Sequence, residues 1–254
     1  TSYSLSGLNP NTAYEYVVTE TCSDGTQSVS STRYAFSTTP VACTPFTAPY
    51  SEDFETAILG AQTDFGNCWT SSNGSGNPLW IADQGGTPSS GTGPLGDHTT
   101  GSGTYLFTET SSPASTGDTV MLLSPQIDLS ALTSPMLEFY YHMFGAAMGS
   151  LHVDVSDGSG WTRGLLTLSG QQQTTQSDPY NRAQVLLNGF SGTVQIRFRS
   201  VCGSSFTSDM ALDDVSVFEA PLCPDPSSVS VSNITQSGAQ LAWTGTSSSY
   251  EIEY

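Results

Sequence analysis

Apolar residues fall at every second position in several separate stretches of this chain. LEFYYHMF (137–144), SLHVDVSD (150–157), TVQIRFRS (193–200) and MALDDVSVF (210–218) carry that alternation. A period of two belongs to a β-strand with one buried face, because successive side chains point to opposite sides. Clusters of Gly, Asn, Asp, Ser and Pro separate the stretches and supply the turns. No run keeps helical apolar spacing over three turns, so helices are not expected. Many short strands between such turns predict an all-β antiparallel sandwich or barrel.

The pattern divides the chain into three pieces. In residues 1–40, a strand ends at Leu8, the chain turns through 9–12, and a second strand starts at Ala13. Leu8, Pro10, Thr12 and Tyr14 form an L-x-P-x-T-x-Y corner. This resembles the later strands of a fibronectin type III domain, an immunoglobulin-like sandwich; a generic hairpin is the alternative. The resemblance implies that the Tyr14 hydroxyl bonds back to the backbone near the turn. STRYAFSTTP (31–40) reads as that domain's final strand. Residues 224–254 resemble the opening three strands of the same kind of domain, with Trp243 in its core and Tyr250, Ile252 and Tyr254 alternating along the third strand. The chain thus reads as a piece of a longer precursor, with a partial domain at each end. Pro-rich joints, 40–53 and 219–226, flank the centre, 45–219, and read as stiff.

The centre resembles the MAM domain, an adhesion module, in five ordered blocks. SEDFE (51–55) with CWT (68–70) matches its opening segment, and TPSSGTGPLGDHTTGSGTYLF (87–107) is the sharpest match. LLSPQIDLS (122–130), LEFYYHMFGAAMGSLHVDV (137–155) and SDMALDDVSV (208–217) follow. The resemblance implies a jelly-roll sandwich, in agreement with the alternation. The cysteines depart from the family pattern: the nearest to the opening Phe-Glu is Cys43, and none opens the aromatic strand at Pro135-Met136. The arrangement looks more like MAM modules of secreted bacterial multidomain proteins than like those of animal receptors.

Charge narrows the partners. The net charge is −18, with five arginines and no lysine. Nucleic-acid binding needs cations that displace counterions, so it is excluded; anionic membranes are disfavoured on the same ground. No stretch is apolar enough to predict a transmembrane helix, so no membrane insertion is expected. Surplus carboxylates keep a protein soluble, and they also suit divalent cations. Five widely spaced cysteines, at 22, 43, 68, 202 and 223, form no zinc pattern. In a β-rich, lysine-free chain they point to disulfides and an oxidising compartment. Their odd number leaves at least one thiol without a partner in this segment.

No GxSxG, HExxH or kinase-type motif is present, so no catalytic residue is assigned and the chain is expected not to be an enzyme. Asp213 and Asp214 are adjacent on a strand and should point to opposite faces, so they cannot flank one glycosidic bond. A cation is the better reading. Glu55 on the first strand, Asp97 in a Gly-rich loop, and Asp213 and Asp214 on the last strand bring hard oxygens from distant segments that a jelly roll places close together. The chemistry and the resemblance both imply Ca²⁺ in a structural role; the alternative is that Asp97 caps its own turn. His98 as a zinc ligand is the weaker choice. Trp80, Trp161 and Tyr180 lie near turn-rich stretches and are candidates for stacking on sugars, while Trp69 belongs in the core.

Against the family pattern, Cys68 and Cys202 are expected to pair as the two cysteines well inside the MAM-like unit, with Cys43–Cys68 second. Cys22 and Cys223 can meet between chains if the terminal halves complete each other head to tail. The expected function is a non-catalytic adhesion or ligand-binding module of a secreted or cell-surface, bacterial, multidomain or repeat protein, with a protein or glycan ligand. The rivals are a carbohydrate-binding module attached to a polysaccharide-degrading enzyme, and a protease accessory domain.

Overall fold

Each of the four alternating stretches is a strand, and the described residues contain no helix. The computed structural model describes residues 3–6, 8, 13–37, 43–75, 78–223, 227–245 and 249–253. The chain divides into two units, Thr1–Thr44 and Pro45–Tyr254.

In the first unit, β1 (Ala13–Tyr16) pairs antiparallel with β2 (Tyr34–Ser37). Tyr14 stacks on Phe36 at 5.7 Å and Tyr16 on Tyr34 at 5.8 Å between ring centroids. These cross-strand aromatic pairs are the main side-chain contacts of a two-stranded ribbon, which is marginal alone. Pro10 and Thr12 of the expected tyrosine corner lie outside the described residues.

The second unit contains two six-stranded sheets. The first comprises β3 (Phe46–Thr47), β5 (Thr70–Ser75), β8 (Thr119–Asp128), β10 (Ser150–Ser156), β11 (Trp161–Ser169) and β13 (Thr193–Val201). Its order is β11-β10-β13-β8-β3, with β5 also on β8. The second comprises β4 (Tyr50–Glu52), β6 (Leu79–Asp83), β7 (Tyr105–Glu109), β9 (Pro135–His142), β12 (Asn181–Leu186) and β14 (Ala211–Glu219), ordered β12-β9-β14-β7-β6 with β4 on β14. Pairing is antiparallel except between β3 and β8. Neighbours distant in sequence, such as β8 with β13 and β9 with β14, give the expected jelly-roll type of sandwich. A last hairpin, β15 (Ser227–Ser232) with β16 (Gln240–Thr244), follows. Residues 249–253 form no strand, contrary to the third strand read through Tyr250 and Ile252; Tyr254 lies outside the described residues.

The alternation sorts side chains as predicted. Leu137, Phe139 and Tyr141 of β9 join Leu122, Phe198, Leu212 and Val217 in one core. Trp69 is fully buried there and donates its indole N–H to the Tyr50 hydroxyl at 2.7 Å. Trp80 is also fully buried, so it is unavailable to a sugar. The opposite face of the second sheet is covered too: Tyr105, Phe107 and Ala211 form a smaller cluster with Ile81 and Tyr180. Loops must therefore lie across this sheet, and the site is built on them. On the entry side, β3 and β4 fall within the segment 40–53 read as a joint. Phe46 and Tyr50 pack together at 5.2 Å, which turns that stretch into sheet.

The expected Cys68–Cys202 bridge does not form. Cys43 and Cys68 are disulfide-bonded, and Cys202, like Cys22 and Cys223, is a free thiol. Cys202 is buried where its backbone pairs with Asp118 and Gly117, so its position is set by the β8 entrance and not by a bridge.

Candidate functional site

The loop between β6 and β7 carries the Gly-rich motif, and its own polar groups shape it. Asp97 accepts hydrogen bonds from the Thr100 N–H at 2.8 Å, the Gly103 N–H at 2.5 Å and the Thr100 hydroxyl at 3.0 Å. Burial alone would raise its pKa, but bonds from Thr100, Gly103 and Ser102 outweigh that and hold it below the ordinary carboxylate value. The turn-capping alternative for Asp97 is thus realised. Gly96 packs against the Gly101 carbonyl so closely that a Cβ would collide with it. Gly103 likewise leaves no room for a Cβ beside the Glu55 carboxylate.

Glu55 lies just beyond β4, in a turn, and accepts from the Thr104 N–H at 3.2 Å. The His98 N–H donates to Asp213 at 2.9 Å. The His98 ring meets Asp214 at 2.6 Å, and the Thr99 hydroxyl donates to Asp214 at 2.6 Å. All four sequence-predicted carboxylates therefore grip one segment, 97–104.

Asp213 and Asp214 do not point to opposite faces as expected. The register with β9 gains one residue between Asp213 and Ser216, and Asp214 has φ of 46°. This β-bulge cancels strict alternation, so both carboxylates turn to His98. Asp213 is almost fully buried, and burial pushes its pKa up to about 8. The His98 and Asp214 N–H groups counteract this, whereas the charges of Asp214 and Asp97 add to it.

Tyr140 and Gln176, which the sequence did not single out, complete the site with His98 and Tyr180. His98 stacks on Tyr140 of β9 at 3.7 Å between ring centroids and meets Tyr180 edge-on at 5.7 Å. Tyr180 donates its hydroxyl to the Gly96 carbonyl at 3.0 Å. Gln176 donates to the Thr92 carbonyl at 2.8 Å, tying the segment before β12 to the Gly-rich loop. Between these segments opens a cleft of ≈ 340 Å³ whose walls include Leu95, Gly96, His98, Gln176, Asp178 and Tyr180. Leu95 is 56% exposed at its rim. Tyr140 in the aromatic strand and Tyr180 beside a turn-rich stretch were the available signal, but their pairing with His98 depends on loop paths.

The donor chemistry of Glu55, Asp97 and Asp213 fits a hard cation. Among the described residues, no three His, Cys, Asp or Glu side chains converge into a metal-holding group. An ion here would need backbone oxygens as well.

A family model, "MAM domain, meprin/A5/mu", matches residues 53–224. The zebrafish (Danio rerio) protein Neuropilin-1a is 32% identical over 155 residues, covering 58% of this chain and 16% of its own length. The rat (Rattus norvegicus) MAM domain-containing glycosylphosphatidylinositol anchor protein 1 is 37% identical over 145 residues, covering 55% and 15%. The chain thus spans about a sixth of the length of these curated relatives. Among solved structures, the K2 cleaved adhesin domain of Lys-gingipain covers 66% of this chain and 98% of its own, with TM-score 0.46 and 18% identity.

Proposed function

Since the chain belongs to the MAM domain family, we propose that it is a non-catalytic adhesion or ligand-binding module of a secreted or cell-surface multidomain protein of bacterial type. Its ligand is a protein or glycan outside the cell. The observation that carries the reading is the cleft beside His98, formed by loops that hydrogen bonds hold onto the second sheet. A loop site on a rigid sandwich suits recognition without chemistry. Beads bearing the chain should adhere to cells or matrix. Leu95→Asp should cut that adhesion without lowering the melting temperature. Equal adhesion by both proteins would sink this assignment of the surface.

Ca²⁺ is part of the proposal. Glu55, Asp97 and Asp213, with Asp214 beside them, would hold it, and the ion would supply the positive charge that buried Asp213 lacks. Such an ion raises stability by mass action. Millimolar calcium should raise the melting temperature and chelator should lower it; no movement with either would remove the ion from the account.

The terminal hairpins are proposed to pair head to tail between copies, as partial fibronectin type III domains. Tyr34 is 55% exposed on one and Val229 72% on the other, and exposed apolar ribbons favour a partner. Exposed Cys22 and Cys223 would then meet between chains. Light scattering should show mass growing with concentration; a strict monomer throughout would end this part.

A further inference from the structure

A second cleft, of ≈ 480 Å³, opens between the segment joining β7 to β8 and the segment joining β13 to β14. That volume lies within the roughly 300–1,000 Å³ of small-molecule sites. Ser112, Ser115, Thr116, Ser204, Ser205 and Phe206 line it. All six are exposed. None of the five hydroxyls donates to or accepts from another described residue, so all five are available to a ligand.

The walls, by contrast, are fixed. The Cys202 N–H donates to the Asp118 carbonyl at 2.8 Å, and the Gly117 N–H to the Cys202 carbonyl at 3.0 Å. The Ser204 N–H reaches the Ala147 carbonyl at 3.2 Å, and the Gly203 N–H the Ser208 hydroxyl at 2.9 Å. The Thr110 hydroxyl donates to the Phe206 carbonyl at 3.3 Å. A ligand entering such a preformed cleft does not have to order the loops, and that cost is what usually erodes affinity.

The lining selects the ligand by exclusion. No Asp, Glu, Lys or Arg is among the lining residues, so neither an anion nor a cation finds a counter-charge. An anion is also repelled by the net charge of −18. A wholly apolar ligand would strip water from five hydroxyls and return no hydrogen bond. A pyranose fits both demands. Its hydroxyls donate and accept, as Ser and Thr hydroxyls do, and its C–H face can lie on the Phe206 ring, which is 50% exposed. We propose that this cleft binds a neutral sugar residue. The proposal rests on the ligand-binding reading and gives it a chemical class at a site apart from the residues lining the His98 cleft.

The test is ligand-observed NMR on the whole chain with glucose, galactose, mannose, N-acetylglucosamine and cellobiose, and with glucuronate as the charged control. At least one neutral sugar should bind with a millimolar dissociation constant, and glucuronate should not. Phe206→Ala should weaken that binding at least about tenfold with the melting temperature unchanged, and the Ser204→Ala/Ser205→Ala double variant should weaken it too. Leu95→Asp should leave it intact. Silence from all five sugars up to about 50 mM, or binding that survives Phe206→Ala, overturns the proposal. Wild-type beads that adhere while the chain binds no sugar would overturn the sugar cleft alone; sugar binding by a wild-type chain whose beads do not adhere would count only against the adhesion reading.

Discussion

His98 and Asp214 meet at 2.6 Å between the ring Nδ1 and a carboxylate oxygen, across 116 residues of sequence. Asp213, next in the chain, reaches the backbone of the same histidine at 2.9 Å. The two aspartates act together because a bulge interrupts β14 at the point where the Gly-rich loop crosses it. With the Tyr140 ring beneath His98, this contact fixes one wall of the first cleft.

The loop should loosen when its central acceptor is removed. In Asp97→Ala the N–H groups of Thr100 and Gly103 lose their partner, at a cost of about 1–3 kcal/mol for the buried Gly103 donor left unsatisfied, while exposed Thr100 can turn to water. Hydrogen exchange should speed up across residues 98–104 and stay unchanged in β10 and β13. Unchanged exchange in the loop would mean that Glu55 and Asp214 suffice to hold it.

Asp154 should be the most sensitive charged residue on the other sheet. It is fully buried and accepts from Arg197 at 2.7 Å, Arg199 at 3.1 Å and the Gly164 N–H at 2.8 Å. Arg197 in turn lies 4.0 Å over the Trp161 ring. Burial tends to raise the Asp154 pKa, yet the bonds from Arg199, Gly164 and Arg197 together hold it below the ordinary value. Removing one partner of such a buried pair costs about 3–5 kcal/mol. Urea unfolding of Asp154→Ala should show a loss of that size, and a change below about 1 kcal/mol would place the pair among weak surface bridges.

Stability should fall as pH rises through neutrality. Asp209 is fully buried; burial first, then the charge of Glu109, pushes its pKa up to about 7, against hydrogen bonds from Thr110 and Thr87. One of its carboxyl oxygens has no hydrogen-bond partner. A folded pKa above the unfolded value means the folded state binds the proton more tightly. Its stabilising effect is therefore complete below the unfolded pKa, about 4, and is lost as pH rises toward 7 and beyond. Melting temperatures should drop between pH 5 and 8, and Asp209→Asn should reduce that slope, the remainder belonging to Asp213, whose pKa burial pushes up to about 8. A slope identical in the variant would assign the effect elsewhere.

The thiols should differ in reactivity. Cys202 is buried; burial, then the charges of Asp118 and Asp209, pushes its thiol up to about 11. Thiolate is the reactive form. Alkylation at pH 8 of the native protein, dilute enough that copies do not pair, should label exposed Cys22 and Cys223 and spare Cys202. Denaturant should then expose Cys202, and only reductant should release Cys43 and Cys68. Rapid native labelling of Cys202 would contradict its burial.

Period-two alternation was enough to read the sandwich from the chain. A half-buried strand must segregate its side chains face by face, so β9, β10, β13 and β14 were legible one by one, while Trp69 was placed in the core by its position after the first strand and by the family resemblance. The acidic residues of the site were legible by type and by their place in the Gly-rich motif and the closing strand. Where they point was not. The bulge at Asp214 reverses the facing that alternation predicts, because one extra residue in a ladder depends on the partner strand. The Cys43 and Cys68 assignments, the burial of Trp80, and the stacking of His98 on Tyr140 likewise depend on which distant segments meet. Local pattern encodes which face a residue takes within its own strand. Contacts between strands and loops far apart in sequence are settled only when the two sheets close on each other.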